Sequence, residues 1–191
     1  EGDGGVTLAT YVDAAAAHDA GALIGNCGDC GFCSNHNDIN IYNVTKQTLT
    51  TDTTACATKA FLGGEESVGE CMDERVGFTE GCNKCWVDNV MCDMRECVFT
   101  CIKSLLLGGG KQAGGNNKEK KKKKGGDVGG GNGTLTNENL NDCLLCDEKL
   151  CGPAFIECAG ANRRRSGIYS DIGRDDSNEV CDVIDSGWWR E

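Results

Sequence analysis

The chain has a single proline in 191 residues and only two histidines, His18 and His36. So few imidazoles thin the field of acid–base enzymes, because histidine is the side chain that titrates near neutrality unaided. Leu, Ile, Val and Phe together make up fewer than one residue in five, close to the composition at which chains stop folding. No apolar run reaches the ~18 residues of a membrane-spanning helix, so no transmembrane segment is expected. Basic residues are the minority, 19 against 30 acidic, for a net charge of −11. That argues against nucleic acid as a partner, since its binding rests on neutralising phosphates. No Gly-x-Ser-x-Gly, HExxH, P-loop or dinucleotide fingerprint occurs, and these motifs carry much of the known chemistry of enzymes. The expectation is a protein that is not an enzyme and has no cofactor.

Cysteine is what the chain has in excess: Cys27, Cys30, Cys33, Cys56, Cys71, Cys82, Cys85, Cys92, Cys97, Cys101, Cys143, Cys146, Cys151, Cys158 and Cys181. All are disulfide candidates, because an oxidising compartment pairs such thiols. Cross-links then supply what the thin core lacks, at roughly 2–4 kcal/mol each. Fifteen is odd, so one sulfur is left free, bonded to another chain or bound to something else. Two glycosylation sequons, at Asn43 and Asn132, fit an extracellular or secretory location. Another oxidising lumen, such as the thylakoid, is the alternative. A start at Glu1 without Met fits a mature form whose leader has been removed.

Along the chain, residues 1–78 read as an irregular Cys-, Gly- and Thr-rich region with short helices near 11–20 and 54–62. Asn40 and its neighbours, INIYNVT, alternate as a short strand does. Residues 79–107 are helical unit A, one long helix whose apolar positions recur every three to four residues, with Thr79 as N-cap and Gly108 as stop. At 100° per residue, Cys85 and Cys92 fall on one edge of its stripe and Cys97 and Cys101 on the other, so the helix can be stapled on two sides. Residues 108–133, with seven lysines against one Glu and one Asp, read as a disordered Lys/Gly-rich loop. Residues 134–167 are helical unit B, broken at Gly152-Pro153, with Arg163, Arg164 and Arg165 in a last helical turn before Gly167. Residues 168–191 are an acidic C-terminal segment.

The two units share a spacing. Cys82-x2-Cys85-x11-Cys97 matches Cys143-x2-Cys146-x11-Cys158, and Glu precedes the last cysteine of each, at Glu96 and Glu157. Two related helical units packed on each other follow, because neither buries its stripe alone. The fold class is therefore mainly α, small and disulfide-rich, with an irregular Cys/Gly-rich N-terminal cap.

Several motifs suggest chemistry. CGDCGFC, spanning Cys27, Cys30 and Cys33, has the form of a redox CxxC unit, in which one thiolate attacks and the second resolves. No βαβ pattern surrounds it, so structural bridges are favoured. An iron–sulfur set fails on its fourth cysteine, because Cys56 is too distant. Cys82, Cys85, Cys143 and Cys146 have the makings of a four-thiolate zinc site, but the long intervening loop and the surplus cysteines favour bridges, so no metal is expected. Cys82-x9-Cys92 has no counterpart in unit B, so a twin CX9C hairpin is not adopted. The three arginines read as a helix end rather than a processing site, and the acidic tail lacks a calcium loop. Trp188 and Trp189 are interface candidates, since aromatics carry much of the energy of binding interfaces. The reading is a structural or binding subunit that joins a protein partner or its own copies. Thiol–disulfide exchange and zinc binding are the alternatives.

Overall fold

A computed structural model describes residues 7–106, 141–168 and 184–185. These residues form eight helices and no strand: α1 (Ala14–Asp19), α2 (His36–Val44), α3 (Leu49–Ala57), α4 (Ala60–Arg75), α5 (Glu80–Glu96), α6 (Val98–Leu106), α7 (Asp142–Leu150) and α8 (Gly152–Ala159). The protein is a mainly helical, disulfide-rich fold. Residues 1–6, 107–140, 169–183 and 186–191 lie outside the description, and with them all of 108–133, Asn132, Cys181, Trp188 and Trp189.

The expected strand at INIYNVT is a helix instead. Asn35 caps α2 by accepting the Asp38 N–H at 3.0 Å, satisfying one of the orphan donors of the first turn. Ile39 and Tyr42, three apart, are then buried on one face, while Val44 is exposed. Helical spacing buries more here than the alternation does. The next two helices form a hairpin, α3 against α4, closed by Cys56–Cys71. They fall at 49–57 and 60–75 rather than 54–62, and α4 is interrupted at Gly64, where φ is 61°.

The core gathers where α2, α3, α4 and the first half of α5 meet. Ile39, Tyr42, Leu49, Val68 and Met72 are fully buried with Cys33, Cys56, Cys82 and Cys85. An aromatic cluster seals one side. Phe78 stacks on Trp86 at 5.8 Å, Tyr42 tilts against Phe78 at 5.0 Å, and the edge of Phe155 meets Trp86 at 4.8 Å. Asp38, buried, fixes α2 to the start of α5. Its carboxylate accepts the Thr79 N–H at 2.8 Å, the Thr79 hydroxyl at 2.6 Å and the Asn35 amide. Thr79 is the N-cap position of α5, but its side chain donates to Asp38 and makes no cap hydrogen bond.

Units A and B fold back on each other as an antiparallel pair of broken helices. The long helix of unit A is two, α5 and α6, meeting at Cys97; unit B likewise breaks at Cys151. α8 packs along α5, and α7 packs along α6 and the end of α5. Four disulfides cross the seam: Cys85–Cys158, Cys92–Cys151, Cys97–Cys146 and Cys101–Cys143. Their residue numbers sum to 243 on three rungs and 244 on the fourth, the register of a chain folded back on itself.

Unit A is stapled to two neighbours, unit B and the Cys33 segment, but the cysteines divide between them otherwise than expected. Cys92 and Cys97 would point about 140° apart on a straight helix, yet both bond to unit B. The break at Cys97 turns α6 so that four cysteines meet one partner, and Cys82 alone faces the other way, toward Cys33. Unit B also ends earlier than expected. α8 stops at Ala159, with Gly160 at φ 65° as its C-cap, so the arginines lie in the turn beyond it.

Candidate functional site

The CGDCGFC segment wraps the end of α8. Phe32 N–H donates to Cys158 O at 3.0 Å, Cys33 N–H to Ala159 O at 2.9 Å and Cys27 N–H to Arg165 O at 2.8 Å. The Ser34 hydroxyl oxygen accepts from the N–H groups of Gly31 and Ala161, both at 2.9 Å. A Cβ on Gly31 would sit 2.5 Å from Gly160 N, so this glycine serves backbone contact. Cys33 is fully buried and bonded to Cys82, and Cys27 is bonded as well. Cys30 is the free cysteine among the described residues; it is exposed and accepts the Thr10 hydroxyl at 3.2 Å. The two sulfurs of the Cys30-x2-Cys33 redox unit are therefore not joined to each other.

The four candidate zinc thiolates are not gathered either. Cys82, Cys85, Cys143 and Cys146 bond to Cys33, Cys158, Cys101 and Cys97 respectively. Asp93, Cys97 and Cys151 do bring ligand-type atoms within 4.8 Å of one another. Both sulfurs are spent in disulfides, so no thiolate is available there. Asn43 lies half-buried near the end of α2, its side-chain oxygen accepting Lys46 Nζ at 3.4 Å. Of the arginines, Arg164 pairs with Glu148 at 3.3 Å, Arg163 donates to Lys46 O at 3.4 Å and Arg165 reaches Gly160 O at 3.4 Å.

The feature that no motif announced is a cleft of about 180 Å³ between α3, α5, α7, α8 and the turn at 162–164. Trp86 and Phe155 line it with aromatic rings, and Thr50, Thr53 and Thr54 line it from α3, the Thr53 and Thr54 hydroxyls donating to Leu49 O and Thr50 O. Asp93 on α5 and Asp147 on α7 face each other and are hydrogen-bonded. Ionising both carboxyls so placed is opposed by their mutual repulsion. Burial, then the charge of Asp147, then the hydrogen bond to it push the Asp93 carboxyl up to about 7. The Asn89 amide donates to Asp147 at 3.1 Å. Among the described residues, Asn89 Oδ1 and Asp93 Oδ1 have no hydrogen-bond partner. Deeper in, burial holds the Tyr42 hydroxyl well above its ordinary range. The nearby charge of Asp38 adds to this, and the 3.1 Å hydrogen bond from the Trp86 indole opposes it.

Sequence reasoning passed over Asp93 and Asp147 because thirty acidic residues offer no contrast. A signal was present: each follows a ladder cysteine directly, as Cys92-Asp93 and Cys146-Asp147.

The six disulfides whose partners both lie among the described residues, with no helix there long and apolar enough to cross a membrane, are consistent with an oxidising secretory compartment. No curated protein and no solved structure matches the chain. Residues 65–183, from just past Gly64 in α4 through the ladder and beyond it, match the family described as "Family of unknown function (DUF8771)", and this span is more than half of the sequence, so the chain belongs to that family.

Proposed function

We propose that the protein is a non-enzymatic, disulfide-stapled structural or binding subunit of a larger protein assembly, secreted or held in an oxidising lumen. The observation that carries this reading is how the cysteines are used. The described cysteines other than Cys30 are bonded, and four of the bonds lock two helix pairs into one frame. A frame of this kind holds a surface in shape. Large apolar side chains stand out from it, with Val12 91%, Leu62 88% and Phe99 84% exposed. In this reading Trp188 and Trp189 are further anchors, and association is with the chain's own copies or another protein.

The test is assembly size by light scattering for the intact protein and for the Trp188→Ala/Trp189→Ala variant, with helicity followed by circular dichroism. Loss of assembly with helicity retained is the expected result. A strictly monomeric wild type that captures no partner from its own compartment contradicts it.

One observation favours a second reading, thiol–disulfide exchange. Cys30 is an exposed thiol in CxxC register with Cys33. The burial of Cys33 weighs against it, because an attacking thiolate needs access to the sulfur. Turnover of a disulfide substrate that vanishes in Cys30→Ser would establish that reading in place of the first.

A further inference from the structure

We propose that Asp93 and Asp147 are a proton-operated switch lining the cleft: one shared proton holds the two side chains against each other, and its loss turns the carboxylates into the cleft and leaves it negative. The geometry carries this. Asp93 follows Cys92 on α5, and Asp147 follows Cys146 on α7. The pair therefore sits between two rungs, Cys92–Cys151 and Cys97–Cys146, each with Cα atoms 5.8 Å apart. Repulsion between two carboxylates cannot part helices that are covalently tied on both sides. It is relieved by turning the side chains into the cleft they already line.

The surroundings set the charge change. The same cleft is lined by Glu148 from α7 and by Arg163 and Arg164 from the turn after α8; α3 and α8 contribute uncharged lining. Glu148 and Arg164 neutralise each other across 3.3 Å. With one proton on the pair, the five charged side chains of the lining sum to zero; without it, they sum to −1. Asn89, which donates to Asp147, is the one amide of α5 in the lining. It stabilises a carboxylate at Asp147 and so assigns the proton to Asp93.

The sign follows from linkage. A carboxyl raised in the folded chain from an ordinary value of 3.8 to about 7 binds its proton better folded than unfolded. Its contribution to stability is complete below the unfolded value and is lost as pH rises through about 7.

The experiment is a carboxyl-carbon NMR titration of the full oxidised chain, with the Trp86 indole signal followed in the same samples. The expected result is one aspartate with a midpoint near 7, a Trp86 shift with the same midpoint, and unchanged helix content. In Asp93→Asn both near-neutral transitions disappear. The folding constant of Asp93→Asn relative to wild type should rise roughly ten- to a hundredfold between pH 5 and 8. Asp147→Asn serves as the second variant should the first not fold: it removes the charge that adds to the effect of burial, so the Asp93 midpoint should fall from near 7 toward the ordinary carboxylate range. A wild type whose aspartates all titrate in the ordinary carboxylate range overturns the proposal. So does a near-neutral titration that leaves Trp86 unmoved, since the pair then titrates without moving the cleft.

Discussion

The two ends of this molecule are held by different means. Where α2, α3, α4 and the start of α5 meet, five large side chains, Tyr42, Ile39, Leu49, Met72 and Val68, are fully buried. At the far end of the ladder, α7 buries no side chain at all, and on α6 Phe99 is 84% and Ile102 43% exposed. There the rungs Cys97–Cys146 and Cys101–Cys143 join helices whose described side chains are half-buried or exposed. Burying a Leu or Met contributes roughly 1.5–3 kcal/mol, and a bridge roughly 2–4 kcal/mol through the unfolded state. Sulfur therefore stands where the apolar side chains are present but little buried.

Full reduction breaks this comparison most severely. It should lower stability by far more than one bridge's roughly 2–4 kcal/mol. The losses should begin at α6 and α7, where hydrogen exchange will report opening before the core end does. An unchanged melting curve after reduction would refute the stapling account.

Truncation inside the core end comes next. Leu49→Ala, fully buried, should cost about 2–5 kcal/mol of global stability, measured by denaturant unfolding of the oxidised protein. The matching change at the other end, Cys101→Ala/Cys143→Ala, removes one rung. Its cost of roughly 2–4 kcal/mol should appear as local fraying of α6 and α7, with the near-ultraviolet signal of the Tyr42, Phe78 and Trp86 cluster retained. Equal global unfolding in both variants would erase the distinction between the two ends.

A smaller effect tests how the core end is joined to α5. Asp38→Ala leaves the Thr79 N–H and hydroxyl and the Asn35 amide without their acceptor. It should cost about 2–3 kcal/mol. Smallest of all, Arg164→Ala removes a partly exposed ion pair with Glu148 and should change stability by about 1 kcal/mol or less.

Much of this was legible in the residues, and the failures have physical causes. The stripe from Cys82 to Ile102 announced α5 and α6, because burial on one helix face dictates the spacing. The break at Cys97 left no mark, since a hydrophobic pattern continues across a turn of the axis. INIYNVT fits both periods, and the Asn35 cap with the burial of Ile39 and Tyr42 decided for helix. The shared CxxC-x11-C spacing was read as two packed units, and α5–α6 and α7–α8 do pack. What the direct spacing hid is its reversed reading, with intervals of 7, 5 and 4 on one side opposing 7, 5 and 3 on the other. Asp93 and Asp147 gain meaning only from that reversal, because they are 54 positions apart in the chain until the ladder brings them together.

Peptide mapping of the non-reduced protein by mass spectrometry tests the ladder most directly. The account predicts Cys85–Cys158, Cys92–Cys151, Cys97–Cys146 and Cys101–Cys143 as linked peptides, together with Cys33–Cys82 and Cys56–Cys71. Linkage within each unit, such as Cys82 to Cys97 and Cys143 to Cys158, would contradict it, as would Cys82, Cys85, Cys143 and Cys146 recovered as free thiols.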